Sequence, residues 1–211
     1  MKWHLEVLRS TQDRALFDLG PTMERLGFYL AGGTAVALHL GHRRSVDLDW
    51  FSGESLGDIM KLARALTEGV GFKAGRVAPG TLHGARSGVR LSFLEYFYPN
   101  LRKTSFLAEF GCRVASLDDL ACMKLSAVAQ RGSKKDFVDV YAILLEHRPL
   151  PDILKLYQKK YHISDISHLL TGLAYFDDAE EEPMPVMLWR VKWEEVKEAI
   201  RKSLREFARS P

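Results

Sequence analysis

Leu30-Ala31-Gly32-Gly33-Thr34, followed by Arg44-Ser45-Val46-Asp47-Leu48-Asp49, is the stretch from which the rest of the chain is read. Phe28-Tyr29-Leu30-Ala31 is short, apolar and rich in strand formers, the pattern of a buried strand, and Gly32-Gly33 breaks it. Thr34 to Leu40 suits a helix, with Thr34 as its cap and Gly41 as its stop. Val46 to Phe51 then alternates apolar and acidic residues, as a strand with two unlike faces does. Along a strand, every second residue points the same way. Asp47 and Asp49 therefore present both carboxylates on one side, and Val46, Leu48 and Trp50 face the other.

Two like charges a few ångströms apart repel, so this pair calls for a compensating cation. A hard divalent ion with oxygen ligands, most naturally Mg²⁺, meets the need and bridges to triphosphate oxygens. The glycines supply the complementary half. They let the backbone turn tightly and leave amides free to approach phosphate, and the following helix aims its positive end at the same place. Thr34 adds a hydroxyl donor. A Gly-Gly pair alone is usually a turn, and an acidic alternation alone is usually a solvated strand face. Their succession is what points to phosphoryl chemistry, which asks mainly for positioning and charge neutralisation. Arg43 and Arg44 read as surface charges. An arginine just before the carboxylates, Arg44, together with Ser45, is nonetheless placed to reach a triphosphate.

The remaining composition sets bounds. With 46% hydrophobic and 27% charged residues among 211, the chain is an ordinary globular one, long enough for one large domain or two small ones. Its longest apolar run, Phe28 to Leu40, contains glycines, a threonine and a histidine and reads as core rather than a membrane span. The first residues carry Glu6, Arg9, Asp13 and Arg14, so no signal peptide is expected. Cys112 and Cys122 have no metal-ligand spacing, which suggests reduced thiols in the cytoplasm and no zinc site. A net charge of +3 is compatible with nucleic-acid contact without requiring it.

Further along, Ser55 to Gly69 is helical in pattern and Val89 to Tyr98 is a strand candidate. After Cys112 the chain turns helical. Ser116-Leu117-Asp118-Asp119 starts a helix whose Leu117, Leu120, Ala121, Leu125 and Val128 follow helical spacing. Gly132 separates it from a second helix over Lys134 to Glu146. Pro149 and Pro151 punctuate the chain, two shorter helices follow, and the acidic Asp177 to Glu182 segment reads as a solvated loop. A last helix, Trp193 to Ala208, carries the stripe Trp193, Val196, Ile200, Leu204 and Phe207. The expected plan is α+β: a mixed β-sheet core flanked by helices over residues 1–112, then a helical C-terminal domain over 113–211. Lys124 sits on the apolar stripe of its helix, where a buried ammonium needs an anion, either phosphate or carboxylate. Asp136 falls at the border of the next helix's apolar face. Asp139 is expected to point away from it, which makes Asp136 the candidate acid. Lys135 is a weaker candidate for nucleotide or RNA contact.

Leu30-Ala-Gly-Gly-Thr-Ala35 with His42-Arg-Arg-Ser-Val-Asp-Leu-Asp-Trp-Phe51 resembles the AbiEii/AbiGii family of nucleotidyltransferase toxins, within the DNA polymerase β-like nucleotidyltransferase superfamily. The similarity continues in Asp119-Leu-Ala-Cys-Met-Lys124-Leu125 and in Arg131-Gly-Ser-Lys-Lys-Asp136-Phe-Val-Asp139. The resemblance implies a nucleotidyltransferase-like fold, Mg²⁺ dependence, and transfer of a nucleotide from an NTP to an acceptor hydroxyl, with RNA, including tRNA, as the acceptor class. It also implies a toxin of a type IV toxin–antitoxin system with a cognate antitoxin. In those terms Asp47 and Asp49 hold the metal, and Gly32, Gly33, Thr34, Arg44, Ser45 and Lys135 hold the nucleotide. Lys124 contacts triphosphate, and Asp136 orients or deprotonates the acceptor. The pattern departs from the superfamily at one place. The strand expected to carry a third carboxylate reads Val89-Arg-Leu-Ser-Phe-Leu-Glu-Tyr96, with Ser92 where an acid is expected and Glu95 on the opposite face. Two other readings therefore stay open: a binding module without turnover, and a nucleotidyltransferase acting on a small molecule.

Overall fold

The computed structural model describes residues 2–209. A 3₁₀ turn, Leu5–Val7, leads into helix α1 (Ser10–Arg25) and then strand β1 (Tyr29–Ala31), helix α2 (Gly32–Leu40) and strand β2 (Asp47–Ser52). Helix α3 (Ile59–Val70) precedes a run of three strands, β3 (Lys73–Ala78), β4 (Thr81–Arg86) and β5 (Val89–Glu95), and two short strands follow, β6 (Ser105–Leu107) and β7 (Cys112–Val114). The second half is helical: α4 (Leu117–Arg131), α5 (Lys134–Glu146), α6 (Leu150–Tyr161), α7 (Ser167–Ala174), α8 (Asp177–Glu180) and α9 (Trp193–Arg209). The strands form one seven-stranded mixed sheet in the order β3-β4-β5-β2-β1-β7-β6. β2 runs antiparallel to β1 and parallel to β5.

Each expected element is present, with shifted ends. Helix α2 starts at Gly32, earlier than the expected Thr34 start, and its N-cap is Ala31. Gly41 closes it in the left-handed conformation that a C-terminal glycine adopts readily. Residues Thr34 to Leu40 are all buried, because α2 is apolar all round and lies between the sheet and helices α4 and α5. The β3–β4 hairpin lacks a burial pattern, since β3 is almost entirely exposed. Its signals are in the turns instead. Gly80 closes the β3–β4 turn with φ +65°, and Ser87-Gly88, both at positive φ, connect β4 to β5 as a two-residue hairpin loop of the favoured hand does. The acidic segment corrects the expectation of a solvated loop: Asp177–Glu180 is a helix with Ala179 buried. Its Glu180 accepts from Trp193 Nε1 and Lys197 Nζ, pinning α9.

A single apolar core runs through both halves, with Leu30, Leu48, Trp50 and Phe93 from the sheet and Leu120, Leu125 and Phe137 from the helices all buried. Each such side chain contributes about 1.5–3 kcal/mol on leaving water. The sheet itself extends to Val114, beside β1. Ser116 caps α4 by accepting from the Asp119 amide. Asp119 in turn accepts from Lys160 of α6 and from the backbone of Leu101 and Arg102, tying sheet to helices. Among the described residues no helix is long and apolar enough to cross a membrane.

Helix α1 packs against the 3₁₀ turn Ala108–Phe110 so closely that a Cβ on Gly20 would lie 1.8 Å from the Phe110 carbonyl oxygen. Backbone cannot yield as a side-chain tip can. Gly20→Ala is expected to destabilise by about 1–3 kcal/mol, the usual cost of overpacking, read as a lowered urea midpoint. An unchanged midpoint would show that α1 does not depend on this contact.

Candidate active site

The glycine pair is required by what passes beside it. Ala31 pairs with Asp49 across β1 and β2, so the turn that follows β1 lies against the Asp49 side chain. Gly32 has φ +66°, and a Cβ there would lie 2.4 Å from Asp49 Oδ2. A Cβ on Gly33 would lie 2.4 Å from Arg43 Nη2. The absence of side chains thus brings an acid and a guanidinium up to the N-terminus of α2, whose first-turn amides have no partner within the helix. Thr34 does not offer its hydroxyl to this space. It is buried, and its Oγ1 donates to the Asp47 carbonyl, stitching α2 to β2.

Asp47 and Asp49 share one face of β2, and Leu48 and Trp50 are buried on the other, as the alternation predicts. Their neighbours on β5 are Arg90, opposite Asp47, and Ser92, opposite Asp49. Arg90 grips Asp47 with both arms, Nε to Oδ1 at 2.7 Å and Nη2 to Oδ2 at 3.1 Å. Asp49 is more enclosed. Burial raises its pKa above the ordinary carboxylate value. The Ser92 hydroxyl and the distant ammoniums of Lys124 and Lys135 pull it back, and the charge on Asp47 pushes it further up. Two carboxylates, one buried and repelled by the other, fit a bound divalent cation. Among the described residues no group of three or more His, Cys, Asp and Glu is arranged to hold a metal. The other coordination positions would then fall to phosphate oxygens and water, the usual arrangement for Mg²⁺ beside a nucleotide. The register also places the position of the expected third carboxylate: it is Ser92. Glu95 pairs further along with Ser52 and is bound by Ser55 Oγ and the Leu56 amide, away from the acidic pair.

Behind this pair lies a buried ionic cluster. Asp139, fully buried, accepts from Arg43 Nε at 2.7 Å and Nη2 at 2.8 Å and from His42 Nε2 at 2.8 Å, and pairs with Lys124 Nζ at 2.6 Å. Lys124 also donates to Asp136 at 3.0 Å, and Asp136 accepts from Arg131 and from Ser133 Oγ. Burial works against ionising both acids. Arg43, Lys124 and His42 nevertheless hold Asp139 well below the usual carboxylate range, and Lys124 and Arg131 hold Asp136 down at about 2. Burial likewise disfavours the Lys124 ammonium, but the two aspartates outweigh it and raise its pKa.

Three expectations change here. Asp139 does not point away from the core. Helix α5 is covered by α2 on one side and α9 on another, so a residue off the apolar stripe is buried all the same. Arg43 is not a surface charge but 3% exposed, its guanidinium enclosed by Asp139. Asp136, expected to orient or deprotonate the acceptor, lines neither of the cavities flanking the acidic pair: its carboxylate is fully buried and held by Lys124, Arg131 and Ser133. Lys124 does meet an anion, and in this structure the anion is carboxylate.

Two cavities flank the acidic pair, one lined by Asp49 and the other by Asp47. One, about 350 Å³, is lined by Gly32, Asp49, Ser92, Lys124 and Arg131 and on its far side by Phe51, His83, Leu94, Tyr96, Met123 and Tyr161. The other, about 260 Å³, is lined by Asp47, Ser45 and a basic set, Arg9, Arg44, Arg90 and Lys135, with Pro185 and Val186 as its rim. Arg44 also donates from Nη1 to the Leu8 carbonyl, which ties down one arm of its guanidinium. Of the candidate residues, Gly32, Asp49 and Lys124 line the aromatic cavity, and Arg44, Ser45, Asp47 and Lys135 the basic one. Arg9, Arg90, His83, Tyr96 and Tyr161 were not anticipated. Arg90 and Ser92 were placed on one strand face by alternation. His83 lies on a strand without a burial signal, so nothing marked it.

Comparison with known proteins agrees with this geometry. Residues 14–209 match the family described as nucleotidyl transferase AbiEii toxin, type IV TA system. A protein of Aquifex aeolicus (strain VF5), aq_aa25, described as uncharacterized, is 37% identical over 182 residues, 85% of this chain and 87% of that one. The solved nucleotidyltransferase toxin MenT4 (Rv2826c) of Mycobacterium tuberculosis H37Rv superposes with a TM-score of 0.63 at 14% identity, over 95% of this chain and 82% of its own. The antibiotic-resistance factor ANT(2″)-Ia superposes with a TM-score of 0.56 at 13% identity, over 74% of this chain and 94% of its own. At such identities the two structures share the fold.

Two outcomes follow from the cluster. Asp139→Asn leaves Arg43 and Lys124 with one buried carboxylate fewer and is expected to cost about 3–5 kcal/mol, measured by denaturant unfolding; a loss under about 1 kcal/mol would show that water replaces the pair. The folded pKa of Asp136 lies below its ordinary 3.8, at about 2, so its contribution is complete above pH ~4 and is lost as pH falls from there towards 2. That shift corresponds to about 2 kcal/mol. Asp118, held at about 2 by Arg148, Arg102 and His147 against the opposing effect of burial, adds to the same window. Unfolding free energy should therefore decline across this range, and a flat profile would contradict the ionised cluster.

Proposed function

The chain belongs to the AbiEii nucleotidyltransferase toxin family, and on that premise we propose that it moves a nucleotide from an NTP to a hydroxyl of RNA, with the triphosphate in the basic cavity and the nucleoside in the aromatic one. The observation that carries this reading is that Asp47 and Asp49, on one face of β2, each line one of the two cavities, with Gly32 at the N-terminus of α2 lining the aromatic one. A scissile α-phosphate beside these two carboxylates has its β and γ phosphates towards Ser45, Arg44 and Lys135 and its base towards Phe51, Tyr96 and Tyr161.

Each residue then has a defined task. The first-turn amides of α2 and the Ser45 hydroxyl donate to phosphate oxygens, where the helix end is positive. Arg90, 72% exposed at its side chain, turns from Asp47 to the triphosphate. Asp47 and Asp49 would hold a Mg²⁺ ion, which would supply charge neutralisation on the phosphates. Lys124, buried, and Arg131, largely exposed, line the aromatic cavity as cations, and Asp136 and Asp139 are the positioning residues that hold them. The acceptor oxygen bonds to the α-phosphorus, the bond to the β-phosphate oxygen breaks, and pyrophosphate leaves. An RNA acceptor suits the exposed cations at the mouth of the basic cavity and the mild net charge of +3. An NTP substrate and two free, buried cysteines suit the cytoplasm, where a cognate antitoxin encoded beside the toxin would meet it.

The test is incubation of the purified protein with Mg²⁺, each α-labelled NTP in turn, and total RNA. Label is expected in RNA with one NTP preferred, and Asp49→Asn is expected to lower incorporation by about 10²-fold or more with the melting temperature unchanged. Undiminished transfer by the variant would remove Asp49 from the metal site. NTP binding without pyrophosphate release would instead support a binding module, and label in an aminoglycoside but not RNA a small-molecule acceptor.

A further inference from the structure

The sheet carries a row of three side chains across adjacent strands. Asp49 on β2 pairs with Ser92 on β5, and Ser92 pairs with His83 on β4. Residues directly paired in this way project from the same face, and all three line the aromatic cavity. Strands lie about 4.8 Å apart, so His83 stands about two strand spacings from Asp49, with the short Ser92 side chain between them. An acceptor hydroxyl fits into that interval.

The cavity needs a proton acceptor, and its other polar groups are engaged. Asp49 belongs to the metal pair. Lys124 and Arg131 are cations bound to Asp136. Tyr96 and Tyr161 share a hydrogen bond at 2.8 Å, and burial is the largest cause raising both of their pKa values. Gln130 donates to Ser126. Among the described residues the half-buried His83 ring has no hydrogen-bond or ion-pair partner, so both of its nitrogens are available to a ligand.

We infer that His83 is the general base of the transfer, standing one strand beyond the place where the superfamily carries its third carboxylate. This rests on the nucleotidyl transfer proposed above. The neutral imidazole accepts the proton of the acceptor hydroxyl as the oxygen bonds to the α-phosphorus. The electron pair of the broken bond leaves with pyrophosphate, and the imidazolium returns the proton to solvent. Histidine is the side chain most suited to this exchange near neutral pH.

The experiment measures single-turnover transfer of α-labelled NTP to total RNA by the full-length protein and by His83→Ala and His83→Gln, with NTP affinity and melting temperature recorded alongside. His83→Ala is expected to be slower by about 10²-fold or more, the usual worth of a positioned base, with NTP affinity unchanged, and to regain rate with added imidazole. His83→Gln retains hydrogen bonding and should stay slow. Wild-type rate in His83→Ala, or recovery by glutamine but not by imidazole, would overturn the assignment, the latter by reducing His83 to a positioning residue. Absence of transfer by the wild-type protein would instead overturn the nucleotidyltransferase reading on which the assignment rests. Should His83→Ala unfold, the isosteric His83→Gln decides: wild-type rate overturns the proposal, and slow transfer with normal NTP binding upholds it.

Discussion

The buried carboxylate of Asp139 organises this molecule. It takes three cationic or donor partners from two distant parts of the chain, Arg43 and His42 from the segment after α2 and Lys124 from α4. Burying such charges is costly, and it is tolerated only because geometry is tight and each charge is met. The consequence reaches the front of the site. Arg43 lies close to Gly33, so the second glycine must remain without a side chain. Ser45 and Asp47 follow Arg43 by two and four residues, so the start of β2 is set by the same clamp. The helices of the second half thereby fix the position of the carboxylates of the first. A site assembled from two halves in this way is rigid before substrate arrives, the condition under which electrostatic stabilisation is effective.

That rigidity is distributed unevenly. The cluster of Lys124, Asp136 and Asp139 is enclosed, whereas Arg90 and Lys135 are exposed at the mouth of the basic cavity. Exposed cations attract anions from a distance and rearrange around them at little cost. Enclosed ones keep their positions and act over short range in a less polar medium. Lys124 thus gives the aromatic cavity a charge that keeps its place, and Arg90 and Lys135 give the basic one charges free to move.

How much of this was legible in the sequence depended on how local the physics was. The strand, glycine pair, helix and acidic strand were readable because each signal lies within a few residues: apolar run, turn, helical spacing, alternation. Ser92 could be placed on the strand face of Arg90 for the same reason, and the observed register confirms that it faces Asp49. Asp139 was misjudged because a stripe on one helix describes only one contact surface, and α5 has several. Arg43 was misjudged because its partner lies nearly a hundred residues away, at a sequence separation of 96, and nothing local announces it. β3 and β4 were overlooked since an exposed edge hairpin needs no apolar alternation, and His83 went with them. Even there the chain left a trace, in Ser87-Gly88 and Gly80, whose positive φ angles make the turns.

The serine at position 92 makes physical sense beside this charge distribution. Asp49 is already pushed up by burial and by Asp47, and the Ser92 hydroxyl opposes both. A carboxylate in its place would remove that donor and add a third negative charge at one strand spacing, driving Asp49 further towards its neutral form. A protonated Asp49 is a poor ligand for a divalent cation. A hydroxyl at this position instead opposes the upward shift of Asp49 without calling on a further cation from the buried cluster. The acidic pair and the serine are then parts of one electrostatic solution, in which two adjacent carboxylates are faced by a hydroxyl rather than by a third negative charge.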